Sequence, residues 1–280
     1  MGIVVQTNVP ALIAQNNLTT ATNKMNQAME RMTTGYKINS AKDDAAGLYV
    51  ATSLDKNIRG SKVAQQNVQM GNDMLAVAEG DLVAIQDNLL RIRDLALTAA
   101  NGVYDEKSMG AIIAEINARK DEINRAAAVS QYNGKELLSA DAPDEIILQV
   151  GANSSENDII TVTGVFGDST TGDDGLALGE TFAADATNEA IRAYVDKVDG
   201  ALTKVQDKRT AIGAVQNRLD STSQSLTTTI ENLTSSKSTI MDADIAAESS
   251  EYINGQILQQ AAASLLVQAN QAPQVALSLV

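Results

Sequence analysis

The sequence predicts a mainly α fold, a long antiparallel helical bundle with coiled-coil character and a small β-hairpin region. Three observations predict it. The only prolines are Pro10, Pro143 and Pro273, so two stretches of more than a hundred residues lack the strongest helix breaker. Ile191, Val198, Val205, Ile212, Leu219, Leu226, Leu233 and Ile240 fall at consecutive seven-residue intervals, the mark of a helix with one apolar seam. Aromatic residues make up 3% of the chain, so its core must be built from Leu, Ile, Val and Ala, which suits helix packing better than sheet packing.

The elements follow in order. Residues Met1–Asn23 carry no charged side chain; Ile3, Val4, Val5, Val9, Leu12, Ile13 and Leu18 are mixed there with Gln, Asn and Thr. A long helix follows. Its first apolar column is Val68, Leu75, Leu82, Leu89 and Ala96, its second Ala78, Ile85, Ile92 and Ala99. It should end near Asn101-Gly102, where glycine adopts the left-handed cap conformation. A third helix begins after Asp105-Glu106, presents Met109, Ile112, Ile116, Ile123 and Ala127, and stops before Tyr132-Asn133-Gly134. Glu145–Val150 and Asp158–Val165 are short β-branched runs separated by Asn, Ser and Glu, which predicts a β-hairpin.

Gly167–Gly179 is rich in Gly, Asp and Thr and reads as a loop; Asp168, Asp173, Asp174 and Gly175 miss the spacing of a calcium-binding EF-hand. The heptad helix then spans roughly 75 Å at 1.5 Å per residue. Its companion column is mixed: Val195, Leu202 and Ile230 are apolar, whereas Arg209, Gln216, Ser223 and Lys237 are not. This predicts oblique packing within the chain, with three antiparallel helices sharing one interior over most of residues 60–240 apart from the acidic segment. The last segment, Tyr252–Val280, again carries no charge. It presents Ile253, Ile257, Leu258, Ala261, Ala262, Leu265, Leu266 and Ala269 as a helical apolar face.

Composition removes several functions. There is no cysteine, histidine or tryptophan, which excludes disulfides, Cys/His zinc sites and the usual general base; no cofactor or metal is expected. The net charge of −14 argues against a basic nucleic-acid surface. Between Glu136 and Glu189 there are twelve acidic residues and no Lys or Arg, leaving 23 acids against 21 bases elsewhere, so acidity marks one segment, read as a solvated surface. Met1–Pro10 lacks the basic region and cleavage site of a secretory leader, and no apolar run is long enough to cross a bilayer.

Both ends are amphipathic, with amides and hydroxyls where charges normally stand. They pair into the chain's own bundle, lie on a membrane, or are buried between subunits. A membrane-surface helix calls for Lys or Arg on its polar face, and none is present. Burial among many neighbours excludes charge, because an unpaired ionised group is costly to desolvate. On that reading both ends are expected to be disordered in the isolated subunit, and polymerisation is the function.

The chain resembles the bacterial flagellins. The resemblance is carried by Thr34-Gly-Tyr-Lys-Ile-Asn-Ser-Ala-Lys-Asp-Asp-Ala-Ala-Gly-Leu48, Leu89-Leu-Arg-Ile-Arg-Asp-Leu-Ala96, Ala99-Ala-Asn101, Tyr132-Asn-Gly134 and Gln149-Val-Gly-Ala152. It continues through Ala211-Ile-Gly-Ala-Val-Gln-Asn-Arg-Leu219, Asp242-Ala-Asp-Ile-Ala-Ala-Glu248 and Gln268-Ala-Asn-Gln-Ala-Pro273, covering roughly 1–165 and 188–280 in order. It implies that the termini, 1–45 and 240–280, pair as helices of the filament's inner core, with Ile3, Val5, Leu12, Ile13, Ile253, Ile257, Leu258, Leu265 and Leu266 as assembly residues. Residues 46–165 and 188–239 would form the next shell of bundle and hairpin, and 166–187 a short acidic loop in place of outer domains.

The resemblance also implies a structural, non-enzymatic subunit, exported by the flagellar type III route to an extracellular filament. Its implied partners are further copies of itself, a secretion chaperone at the C-terminal helix, and the filament cap and hook-junction proteins. A host Toll-like innate receptor is implied at Leu89, Arg91, Leu95 and Glu115, with Leu90 adding apolar surface where many relatives have glutamine. The alternatives are a hook–filament junction protein, a filament-associated enzyme and a soluble coiled-coil adaptor. The short loop and missing histidine count against the enzyme.

Overall fold

The structure, a computed structural model, describes residues 7–277, with side chains through residue 271. Five helices carry the fold: α1 (Val9–Thr34), α2 (Ala45–Ala99), α3 (Glu106–Val129), α4 (Asn188–Met241) and α5 (Ile245–Leu277). Four short strands pair as two antiparallel hairpins, β1 (Gln131–Tyr132) with β2 (Lys135–Glu136) and β3 (Glu145–Gln149) with β4 (Ile159–Thr163). The chain divides into two compact units. One comprises the chain through Asn57 together with that from Glu231 onward; the other is Ile58–Ile230, so α2 and α4 contribute to both.

In the first unit, α1 starts where the Asn8 side chain accepts a hydrogen bond from the Ala11 amide and Pro10 presets the backbone. It ends at Gly35, whose φ of 76° lets its amide donate to the Arg31 carbonyl at 2.8 Å. The connections beside it are tied together: Tyr36 bridges Asp242, the Lys37 amide donates to Met241 O at 2.7 Å, and the Ala243 amide donates to Gly35 O at 2.9 Å. The Ser40–Gly47 string turns the chain into α2, which begins at Ala45. Asp43 accepts from the Asn39 and Ser40 amides and the Ser40 hydroxyl, and Asp44 accepts from the Gly47 amide at 2.9 Å. The Ser40 hydroxyl and amide hold the Asp43 carboxyl below its ordinary range. Gly47 leaves room for the neighbouring side chains, since a β-carbon there would stand 2.5 Å from the Asp44 carboxylate and 2.8 Å from the tip of Ile38, which would both have to move.

In the second unit, the predicted columns of α2 are buried from Val68 to Ala99, and Gly102 turns the chain with φ 62° where the cap was expected. Asp105 caps α3 by accepting from the Ser108 amide at 3.1 Å. Met109, Ile116, Ile123 and Ala127 are buried, with Ile112 packed beside them. On α4, Ile191 through Leu219 are buried, but Leu226, Leu233 and Ile240 are only half-buried. The reason is length. At about 1.5 Å per residue, α3 reaches roughly 36 Å against roughly 82 Å for α2, so three helices share an interior over less of the chain than expected. Hairpin residues Ile146, Val150, Ile160 and Val162 join the same core.

Polar residues along α4, Arg209 of the companion column among them, are partnered across to α2. Arg209 donates to Gln86 at 2.6 Å, and Arg93 on α2 donates to Asp199 at 2.6 Å. Asn72 donates to Asp220 and Gln65 to Thr227, each at 3.0 Å.

Two features depart from the sequence reading. Tyr132-Asn133-Gly134 does more than stop α3: Asn133 (φ 49°) and Gly134 (φ 78°) form the two-residue turn of the β1–β2 hairpin. The acidic segment is a surface only through its carboxylates. Asp173, Asp174, Glu180 and Asp185 face solvent, while Phe166, Leu176, Leu178 and Phe182 enter the core. Backbone carbonyls of this strap are capped by lysines. Lys120 donates to Gly179 O and Lys204 to Gly175 O, each at 2.6 Å, and Lys208 donates to Gly167 O and the Ser169 hydroxyl at 2.8 Å. Burial pushes the Lys120 and Lys208 ammonium groups below the ordinary lysine range.

Candidate assembly and recognition surfaces

The terminal helices form an antiparallel pair whose inner surface is made of small residues. Ala14, Ala21 and Ala28 are buried at heptad spacing on α1, with Ala262 buried on α5. A β-carbon on Gly255 would stand 3.1 Å from the Met25 β-carbon and 3.3 Å from its backbone, so the two helices meet nearly backbone to backbone. Polar bonds fix the register. Asn8 donates to Ala269 O at 2.8 Å, Gln259 to the Thr22 hydroxyl at 3.2 Å, and Arg31 pairs with Glu248 at 3.1 Å.

With alanines inside, the large apolar side chains point out. Leu12, Ile13, Ile253, Ile257, Leu258 and Leu265 are 53–60% exposed. Leu266 is half-buried, and Ile3 and Val5 lie outside the described residues. Two concavities flank the pair. One of about 510 Å³ is lined by Val9, Pro10, Ile13, Leu265 and Gln268; another of about 250 Å³ by Ala21, Lys24, Leu258 and Ala262. Fully burying an exposed Leu or Ile is worth about 1.5–3 kcal/mol, so covering each of these half-exposed side chains would contribute roughly half of that.

The second surface lies on α2 and α3. The four residues implied there separate by burial. Leu89 is fully buried and Leu95 is 7% exposed, both in the core of the second unit. Arg91 and Glu115 face outward and bind each other, with Arg91 Nε at 2.9 Å and a terminal guanidinium nitrogen at 2.8 Å from Glu115 Oε1. One turn away, Arg119 donates to Asn88 at 3.3 Å. Val83, Leu90 and Leu97 stand exposed on α2 at heptad spacing, a stripe of which the sequence reading noticed only Leu90. Its signal was the interval of seven, masked by the stronger buried columns.

Among the described residues no group of three or more His, Cys, Asp or Glu is disposed to hold a metal ion, and no helix is long and apolar enough to cross a membrane.

Comparison with known proteins agrees along nearly the whole length. Residues 5–142 match the bacterial flagellin N-terminal helical region and residues 195–280 the bacterial flagellin C-terminal helical region. The chain is 36% identical over 279 residues to a flagellin of Halalkalibacterium halodurans, covering 99% of both chains. It is 33% identical to a flagellin of Bacillus subtilis, covering 97% of this chain and 98% of that one. A flagellar filament core protein of Brachyspira hyodysenteriae is 34% identical, covering 99% of this chain and all of the relative. In fold, the chain is similar to a putative flagellar hook-associated protein of Vibrio parahaemolyticus, with TM-score 0.58 and 15% identity, covering 71% of this chain and 99% of that one. A helical, non-enzymatic chain whose ends, Met1–Asn23 and Tyr252–Val280, carry no charge and whose relatives match it over their full length belongs to the bacterial flagellin family, the structural subunits of the flagellar filament.

Proposed function

We propose that this subunit assembles through the outer faces of its terminal helices, which occupy the inner core of the extracellular filament. The observation that carries this is the inversion of the α1–α5 pair: alanine and glycine inside, Leu and Ile outside, no charge in Met1–Asn23 or Tyr252–Val280. A pair held by small residues buries little apolar area by itself, so its ends gain most of their order from neighbouring copies. Residues 46–165 and 188–239 form the surrounding shell, and 166–187 take the place of outer domains. The same exposed face of α5 suits a secretion chaperone before export, and the subunit meets cap and hook-junction proteins at the filament's ends.

Limited proteolysis of dilute subunit, beside seeded elongation viewed by electron microscopy, tests this. The expected result is rapid cleavage confined to the ends of the free subunit and long filaments from the intact one. Resistant ends, or growth limited to a ring or two as for a junction protein, would contradict it.

A second reading rests on the Arg91–Glu115 pair beside the exposed Leu90 and Leu97. This surface suits recognition of the monomer by a Toll-like innate receptor, with Leu89 and Leu95 supporting it from the core. The double substitution Arg91→Ala, Glu115→Ala should abolish most receptor signalling by purified subunit; unchanged signalling would end this reading.

A further inference from the structure

The chain contains three Asn-Gly pairs, Asn101-Gly102, Asn133-Gly134 and Asn254-Gly255. The fold puts them in three different settings. In such a pair the backbone nitrogen after the asparagine is unshielded, because glycine has no side chain, and it is well placed to attack the asparagine amide. Whether it does depends on the freedom of the backbone between them.

Asn254-Gly255 lies inside α5, where the ladder fixes both peptide groups, and Gly255 is pressed against Met25. Asn133-Gly134 forms the two-residue turn of a hairpin. Tyr132 pairs with Lys135 across that turn, and Leu137 and Leu138 anchor the following chain in the core. Rotating Asn133 away from φ 49° therefore requires the strands to part.

Asn101-Gly102 has neither restraint. It lies in the turn just past the end of α2, separated from Ala99 by Ala100, and precedes three exposed residues, Val103, Tyr104 and Asp105. The Asn101 amide donates to Thr98 O at 3.2 Å, but among the described residues the Gly102 amide donates no backbone hydrogen bond. Both residues are exposed.

We propose that Asn101 is a deamidation site of the folded subunit, modified by the backbone nitrogen of Gly102 while the other two pairs are protected by the fold. Gly102 N gives up its proton and bonds to Asn101 Cγ. The Cγ–Nδ2 bond breaks and the nitrogen leaves as ammonia, which closes a five-membered succinimide. Water then opens the ring at either carbonyl, giving aspartate or isoaspartate. Either product adds a negative charge at the C-terminus of α2, the negative end of the helix, whose last turn holds no basic residue to offset it. Isoaspartate also lengthens the backbone by one carbon in a turn that packs on α4, where a β-carbon on Gly102 would stand 3.3 Å from the Asn188 side-chain nitrogen Nδ2. Each subunit would thus carry an age-dependent mark that loosens the α2–α3 turn.

The test is peptide mapping by mass spectrometry of unassembled full-length chain held in mildly alkaline buffer, folded and in concentrated urea. In urea all three sites should lose their amide at comparable rates. In the folded chain Asn101 should keep a rate near its urea value, while Asn133 and Asn254 are slowed on the order of tenfold or more because attack waits on local opening. Asn101 protected as strongly as Asn133, or Asn133 or Asn254 modified as fast as Asn101, would overturn the assignment. In a second arm, Asn101→Asp should melt below Asn101→Gln. Equal melting would overturn the proposed effect on the turn.

Discussion

In the α1–α5 pair the inward positions are Ala14, Ala21, Ala28, Gly255 and Ala262, and the exposed ones include Ile257, Leu258 and Leu265. In the unit Ile58–Ile230 the order is reversed. Leu75, Leu82, Ile85, Leu89 and Ile92 are fully buried, and charged pairs such as Arg91–Glu115 and Arg93–Asp199 lie toward solvent. The second arrangement is that of a domain stable alone, since fully burying each large side chain contributes about 1.5–3 kcal/mol. The first leaves the same kind of side chains on the outside, where the proposed assembly would cover them with other copies. On the proposed assembly, one chain carries a self-sufficient core and a second core that other copies would complete.

The largest expected effect breaks that contrast on the association side. Ile257→Lys or Leu258→Glu places an unpaired charge in the proposed interface at a cost of about 3 kcal/mol or more, so the critical concentration for seeded elongation should rise on the order of 100-fold. The melting of Ile58–Ile230 should not move. On the other side, Leu89→Ala should cost about 2–5 kcal/mol in urea unfolding, because it leaves a cavity in the closed core.

Lys208→Met sharpens the account of the strap. It leaves the Gly167 carbonyl and Ser169 hydroxyl without their ammonium partner and should cost about 1–3 kcal/mol at neutral pH. Its pH dependence has a definite sign. Burial lowers the Lys208 pKa from 10.5, against the opposing pull of Asp168 and Asp144 and with Lys204 adding to it. Over the window from the lowered value up to 10.5 the unfolded chain binds more protons at this site, so its linked stability rises with pH. The rise should vanish in Lys208→Met.

The smallest effect concerns Asp43, whose pKa is lowered from 3.8 chiefly by the Ser40 hydroxyl. Its contribution is complete above that ordinary value and lost as pH falls through the lowered one. Asp43→Ala should melt slightly below the parent at neutral pH and together with it in strong acid.

How much was legible in the sequence follows the same division. The columns Val68–Ala96 and Ile191–Leu219 were readable because a closed helical core repeats every seven residues and uses large side chains. The strap was not, because Phe166, Leu176, Leu178 and Phe182 have no period and find their pockets through contacts distant in sequence. The β1–β2 hairpin was readable in principle, since Asn-Gly between short strands is a strong turn signal, but its strands are two residues each. In the terminal pair the amphipathic pattern was visible, but not which face turns inward; Ala14, Ala21 and Ala28 at intervals of seven were the missed clue. Of the residues proposed for recognition, Leu89 was legible as core. The Arg91–Glu115 bond was not, because it joins two helices across a turn.

The central claim, that assembly resides in the terminal helices while Ile58–Ile230 folds without them, is tested most directly by seeded elongation of a chain trimmed of α1 and α5, with circular dichroism on the same sample. The account predicts a helical, cooperatively melting product that forms no filaments at any concentration at which the intact chain does. A trimmed chain that elongates seeds like the intact one would contradict it.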